Sequence, residues 1–420
     1  MADMIHNDAT KDFVLRHRDD DVRMLALQKN VSPDVDLPFA LLQIAGWQTA
    51  RRKLPSWAAK EDIVYPVHLS MEQCSSEAAA EYKSRLITDF FRKKSTSDEG
   101  KATISGGFID LTGGLGVDFS FIARNFEDST YVEKDEQLCD IARHNLPVLG
   151  LPESKIVNAD GIGYIRDTNR HFSLIFMDPA RRDSNGGKVV AISDCTPDVV
   201  GNLDLLMSKT DALLVKLSPM LDRHKAVGDL RGFVKDVHIV SVDNECKELL
   251  LLLCNYTSEE TKEHSRLRII CTNITGSTGQ DIFSYYADEA VGTIPLYKDF
   301  SAEYLYEPNA SIMKAGCFDI LADRMQVRPV SNNSHLFVSD KKICDFPGRR
   351  FRILRTTSMN KKELRSALAG IDRANISTRN FPMKAEELKK KLKLKDGGGI
   401  FIFGTTDNDS RHLLFICESI

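Results

Sequence analysis

The sequence predicts an α/β protein: a mostly parallel, seven-stranded sheet ending in an antiparallel hairpin, after a helical region and before small α+β modules. Three observations carry this. Between Phe108 and about Thr257, short apolar runs alternate with helical patterns, the texture of a parallel sheet covered on both faces. The last two runs, "VHIVSVD" and "ELLLLLCNY", are separated only by a stretch too short for a crossover helix, so they predict an antiparallel hairpin. The polar, Gly/Ser-rich stretch "KKSTSDEGKATISGG" reads as a linker that sets this region apart from the helical patterns before it.

Taken in order, residues 1–95 read as helical. "DATKDFVLRH" has a polar start and apolar spacing, "DLPFALLQIAGWQTARRKL" continues it, and "SSEAAAEYKSRL" is a strong helix former opening on a Ser cap. Residues 96–275 form the sheet domain, with strands predicted at "FIDL", "STYVEK", "KIVNAD", "FSLIFMD", "DALLVKL" and the two hairpin runs. "DEQLCDIARHNLPVL" and "DVVGNLDLLMSK" are predicted helices between them, and "RLRIICTNIT" is one more strand. Residues 276–340 read as a small α+β, ferredoxin-like module. Residues 341–420 close the chain with strand, helix, loop, helix, strand and strand: "RRFRILRTT", "NKKELRSALAG", "ANISTRNFP", "KAEELKKKLKL", "GGGIFIFGTT" and "RHLLFICES".

The 420 residues suffice for two or three domains, and 42% hydrophobic with 28% charged residues is an ordinary globular composition. The longest apolar run, "LLLLLC", falls far short of the ~20 residues of a membrane span. No basic, apolar leader opens the chain, and the nine cysteines are scattered with no C-x-x-C pair; these features predict a cytoplasmic protein with reduced thiols. No H-x-x-x-H pair occurs, and no metal site is expected. Charge is uneven: from Arg349 to Lys395 there are 15 Lys and Arg against 4 Asp and Glu, in a chain of net charge −4. That asymmetry points to a polyanionic partner.

The segment "GGFIDLTGGLGVDFSF" (Gly106–Phe121) carries the chemistry. A dinucleotide turn of the form G-x-G-x-x-G brings backbone close to a pyrophosphate. Here the third position is Phe119, and Asp110 at the strand end would repel phosphate. A cationic, phosphate-free ligand suits an acid at that place. S-adenosyl-L-methionine, with a sulfonium and an α-ammonium, meets that description.

"FIDLTGGLGVDF" resembles the first motif of the class I SAM-dependent methyltransferases, "STYVEKDEQLCDIARHN" the second, "KIVNADG" the third and "FSLIFMDPARRD" the fourth. The resemblance implies a Rossmann-like domain. It implies cofactor contacts from Asp110, Thr112, Gly114, Gly116 and Asp118, ribose hydrogen bonds from Glu133 beside Lys134, and an adenine contact from Asp160 beside Gly161. It places Asp178 and Pro179 next to the transferable methyl. Four such features at the ends of four successive strands lie where open α/β sheets bind ligands. With "YPVHLSMEQCSSEAAAEYKS", "YLYEPNASIMKAG" and "STRNFPMKAEELKKKLKLKDGGG", most of the chain resembles a bacterial methyltransferase family with a C-terminal THUMP-like domain, which implies RNA modification (tRNA or rRNA).

Amino-methyltransferases that act on bases commonly follow the fourth-motif acid with P-P and an aromatic ring. This chain instead has Ala180, Arg181 and Arg182, and an Arg plane can stack on a base or meet a phosphate. Ion pairing of those arginines with Asp183 is the alternative. No Cys stands where a pyrimidine C5 nucleophile would, and Cys195 reads as a buried or loop cysteine. Direct transfer to nitrogen or oxygen is therefore favoured, with Asp178, Pro179 and Arg181 at the reacting centre. Gln73, Ser75, Ser76 and Tyr82, on or beside the helix before the sheet, are candidates for the methionine end of the cofactor; a plain packing helix is the alternative. Arg182, Arg373, Arg379, Phe381, Lys389, Lys390 and Lys391 form the predicted RNA surface, extended by Arg51, Arg52, Lys53 and Trp57. A solvated lysine face is the competing explanation of that run. At the level of function the alternatives are a small-molecule or protein methyltransferase and a non-catalytic, SAM-sensing RNA-binding protein.

Overall fold

The structure, a computed structural model, describes residues 7–66, 68–94, 103–181, 191–255, 266–276, 279–297 and 302–420. The chain folds as two compact units, Met1–Asp236 with Leu249–Ser265, and Val237–Glu248 with Arg266–Ile420.

In the first unit the N-terminal helices include α1 (Asp8–His17), α2 (Leu37–Lys53) and α3 (Glu77–Lys94). The Asn7 and Asp36 side chains cap α1 and α2 by accepting from backbone amides of the first turn. The sheet follows: β1 (Ile104–Asp110), β2 (Phe126–Glu133), β3 (Lys155–Asn158), β4 (Phe172–Met177) and β5 (Thr210–Leu217). Two longer strands, β6 (Val234–Val242) and β7 (Glu245–Cys254), continue it. Among the described residues, seven of the sheet's nine strands are hydrogen-bonded in the order β6-β7-β5-β4-β1-β2-β3, so the sheet carries two strands more than the seven-stranded sheet the sequence predicts. The pairs β1/β2, β1/β4, β2/β3 and β4/β5 are parallel, while β5/β7 is antiparallel, so β7 reverses the strand direction at this end of the parallel sheet. Strand order reverses at β1 and β4, so the chain leaves their C-terminal ends toward opposite faces and opens a crevice there. Between these strands lie α4 (Val117–Ile122), α5 (Glu136–Val148), α6 (Gly161–Asp167) and α7 (Leu203–Ser208). The last is shorter than "DVVGNLDLLMSK" predicts. The Asp198 side chain accepts from the Gly201 amide at 2.9 Å, and that turn competes with helix until Leu203.

In the second unit the tip of the β6–β7 hairpin turns on Asp243 and Asn244, both with positive φ (48° and 62°), the two-residue turn that matches strand twist. β8 (Arg268–Thr275) pairs antiparallel with β9 (Gly279–Tyr286). β9 is not predicted from sequence: "GQDIFSYY" is polar and exposed over its first half and shows little alternation. Next come β10 (Tyr304–Pro308), α8 (Ala310–Ala315), α9 (Phe318–Met325) and β11 (Phe337–Ser339). The C-terminal stretch is β12 (Gly348–Ser358), α10 (Lys361–Ala367), β13 (Asn375–Arg379), α11 (Ala385–Leu392), β14 (Ile400–Thr406) and β15 (His412–Ser419). These strands form one sheet in the order β11-β10-β12-β15-β14-β13, with the two-residue strand Arg328–Pro329 beyond β11. β13 corrects the sequence reading, in which "ANISTRNFP" was a loop. It is an edge strand parallel to β14, half-buried throughout, so it lacks the apolar alternation that marks a strand. Phe351, Phe403 and Phe415 fill one face of this sheet; Ile402, Leu414 and Ile416 fill the other, with Ala367, Leu388 and Leu392 of α10 and α11 in the same cluster.

Candidate active site

The C-terminal ends of β1, β2 and β4 bring three acids to one edge of the first unit's sheet. Asp110 ends β1 and is 1% exposed. One of its carboxylate oxygens accepts from the Thr112 amide at 2.9 Å and the Thr112 hydroxyl at 3.2 Å. Burial pushes its carboxyl up to about 8, and the nearby charges of Asp118 and Asp178 push the same way against the two Thr112 hydrogen bonds. These surroundings favour the protonated form of Asp110 at neutral pH. Glu133 ends β2, and its two oxygens accept from the Gly114 amide (2.8 Å) and the Asp135 amide (2.9 Å). That carboxylate fixes the glycine turn. The Tyr131 hydroxyl adds a bond to the Gly114 carbonyl. Gly116 is the N-cap of α4 at φ 84°, in the left-handed region that a side chain makes costly.

Asp160 caps α6 by accepting from the Gly163 amide at 2.8 Å and is otherwise exposed; the exposed Lys134 lies after Glu133, with its carbonyl held by the Asn158 amide group. Gly161 follows. A Cβ there would stand 2.2 Å from the Leu111 carbonyl oxygen, so only glycine lets α6 approach the glycine segment. Asp178 follows β4, its amide donating to the Thr112 hydroxyl at 2.7 Å. Pro179 is buried, and the backbone of Ala180–Arg181 pairs with Cys195–Thr196. Cys195 is fully buried. The Arg181 side chain and all of Arg182 lie outside the described residues.

Two lysines enter this edge that sequence reasoning missed. Lys216 of β5 lies 2.5 Å from Asp178 and 3.2 Å from Asp118. Lys83 of α3, with no exposure at all, lies 3.1 Å from the other oxygen of Asp118. The two ammonium groups hold the Asp118 carboxyl down at about 2, against the burial that would raise it. Ser75 donates to Asp118 at 2.8 Å, which brings one of the four N-terminal candidates into this network. Tyr82 is buried, Ser76 half-buried and Gln73 exposed. The missed signal was a lysine standing in the apolar stripe of α3 (Ala80, Lys83, Ile87, Phe90) and another inside the buried run of β5.

In the second unit, Arg379 pairs with the buried Glu307 at 2.9 Å, and Arg349 pairs with the same carboxylate. Lys389 is held at 2.7 Å by both Glu386 and Asp396. Arg373, Lys390 and Lys391 are exposed, and Phe381 stands half-buried against His412. In the first unit Trp57 is fully buried in the helical core, which corrects its placement on a surface. Arg51 pairs with Asp19, Arg52 is exposed, and Lys53 donates to the carbonyls of Met71 and Glu72. Among the described residues no group of His, Cys, Asp and Glu could hold a metal, and no helix is long and apolar enough to cross a membrane.

Two family profiles match the second unit: one described as a ferredoxin-like domain over residues 304–347, one as THUMP domain-like over 348–419. The crystal structure of a candidate methyltransferase from Porphyromonas gingivalis W83 is 30% identical in sequence. It superposes with a TM-score of 0.83, covering 100% of this chain and 98% of that one. The chain belongs to that methyltransferase family. Family membership accounts for the Rossmann-like sheet with its antiparallel end and for the paired C-terminal modules. A SAM-dependent methyltransferase from Agrobacterium tumefaciens matches at 16% identity over 42% of this chain and 61% of its own, with a TM-score of 0.30. An rRNA-methylase candidate from Clostridium thermocellum matches at 12% identity over 41% and 97%, also with 0.30. Likeness at that level carries no weight for the function of this methyltransferase family member. No curated protein matches the chain.

Proposed function

We propose that the protein transfers a methyl group from S-adenosyl-L-methionine to a nitrogen or oxygen of a base in structured RNA, tRNA or rRNA. The observation that carries this reading is the convergence of Asp110, Glu133 and Asp178 around a glycine turn at the switch point of the sheet. The donor set fits the cofactor: carboxylates face its cationic groups and ribose, while the two lysines at this edge are already engaged by Asp118 and Asp178. When bound, the cofactor supplies a methyl already activated by sulfonium, so positioning accounts for most of the rate. Asp110, beneath the turn, accepts a cation; Glu133 accepts from the ribose hydroxyls; Asp160 adjoins the base; Asp178 orients the acceptor, with Pro179 and Arg181 beside it.

RNA is the acceptor class that the basic C-terminal stretch supports. Arg373, Lys390 and Lys391 are exposed, and Lys361, Lys362 and Arg365 line a groove on α10. Arg379 and Lys389 are tied to carboxylates, so they contribute less to phosphate contact than their exposed neighbours. The deciding experiment compares modified nucleosides in RNA from cells with and without the gene, then restores the missing modification with purified protein and labelled cofactor. Absence of any difference, with no transfer to bulk RNA, would end the proposal. Glu133→Ala should weaken cofactor affinity by roughly 1.5–3 kcal/mol, the scale of hydrogen bonds to a charged group. Unchanged affinity by calorimetry would remove Glu133 from that role.

A further inference from the structure

Lys216 joins the acids of the sheet edge into one network. Its ammonium has three N–H donors, and three oxygens lie within reach: Ser75 Oγ at 3.0 Å, Asp118 Oδ2 at 3.2 Å and Asp178 Oδ2 at 2.5 Å. Ser75 and Asp118 are in turn fixed by the fully buried Lys83, at 3.3 Å and 3.1 Å. On the other side, the Asp178 amide donates to the Thr112 hydroxyl, which donates to Asp110. The side chain of Asp178 is 38% exposed, whereas that of Lys216 is 12% exposed. The anchor is therefore more deeply set than the group it holds.

We propose that Lys216 is a positioning residue for methyl transfer, holding the Asp178 carboxylate ionised and turned toward the acceptor. The proposal rests on the methyltransferase reading above. With its three donors occupied, Lys216 has none to offer a substrate, so it acts through Asp178. Among the described residues, the titratable and charged groups facing it include Asp178 after β4, Asp118 of α4, Asp110 through Thr112, Lys83 of α3 and Cys74. A partly desolvated ion pair fixes geometry better than an exposed one, and losing one partner strands the other charge.

Lys216→Met keeps side-chain bulk without charge; Lys216→Arg keeps the charge. Transfer to RNA from cells lacking the gene is measured against pH for both and for the wild type, alongside cofactor affinity and a crystal structure of each. Lys216→Met should lower kcat roughly 10- to 100-fold, the cost of a small misplacement at a reacting centre. Cofactor Kd should stay within about threefold, and the acid limb of the rate profile should move to higher pH, since a cation no longer favours the carboxylate. The Asp178 side chain should leave its wild-type rotamer, and Lys216→Arg should restore both limb and rotamer. Ser75→Ala, which removes one anchor and no charge, should shift Asp178 less, in the same direction, and serves if Lys216→Met does not fold. An Asp178 side chain unmoved in Lys216→Met, or in Ser75→Ala in its place, overturns the inference whatever the kinetics. A wild type that transfers no methyl to RNA overturns the proposed function instead, while the structures still decide the positioning claim.

Discussion

Asp110 shows how burial changes what an acid can do. Its carboxyl is pushed up to about 8, first by desolvation and then by the charges of Asp118 and Asp178. In the unfolded chain an Asp titrates near ~4. Between those values the native protein keeps a proton that the unfolded chain releases, so the stability Asp110 contributes is complete at low pH and is lost as pH rises toward 8. Asn cannot ionise and still accepts the Thr112 hydrogen bonds. Asp110→Asn should therefore gain melting temperature relative to the wild type as pH rises, with the gain largest at about pH 9 and gone below about pH 4. Parallel melting curves across that range would contradict a buried, protonated Asp110. A cationic ligand reverses the balance by favouring the carboxylate, which links binding to proton release. The placement of Asp110, Glu133 and Asp178 at one sheet edge was legible because acids at strand ends beside a glycine turn have a reason in the sequence. Lys83 and Lys216 were not, because a buried lysine looks like an error in an apolar pattern until its carboxylate partners, far away in the chain, are seen.

At the level of elements, the parallel strands and the hairpin were legible because burial on both faces gives continuous apolar runs and a short connection forbids a crossover. β9 and β13 were not, since strands of mixed polarity and partial exposure carry neither alternation nor an apolar run. Close approaches between elements are likewise invisible in a pattern of polarity. Gly161 is such a case: α6 begins against the backbone of the glycine segment, and a Cβ would meet the Leu111 carbonyl at 2.2 Å. The obstacle is backbone, which cannot swing aside. Gly161→Ala should therefore cost about 1–3 kcal/mol, the range for overpacking a filled site. Gly150→Ala, where a Cβ meets nothing within 4 Å, carries only the penalty of its positive φ and is the comparison. Equal losses by denaturant titration would show that α6 can retreat from Leu111.

At the scale of the whole chain, two family profiles divide what the structure keeps as one sheet. The match to a ferredoxin-like domain stops at 347 and the THUMP-like match begins at 348, yet β10 lies between β11 and β12 and pairs with both. One core cluster draws Leu305, Val330, Leu336 and Val338 from the first segment and Phe351, Phe403 and Phe415 from the second. The carboxylate of Glu307 on β10, 3% exposed, is paired by Arg349 and Arg379 from the later segment. Sequence similarity marks where segments are shared between proteins, whereas folding follows the core that both segments fill. Cutting at 348 would uncover three buried Phe side chains, each worth roughly 1.5–3 kcal/mol. That sum approaches the about 5–15 kcal/mol holding a typical domain together. A fragment of residues 348–420 should therefore keep secondary structure but lose fixed side-chain packing, while 302–420 should unfold cooperatively. Near-ultraviolet circular dichroism with thermal melting distinguishes them. A sharp melt and native side-chain signals from 348–420 alone would show that the boundary between the two profiles is also a boundary of folding.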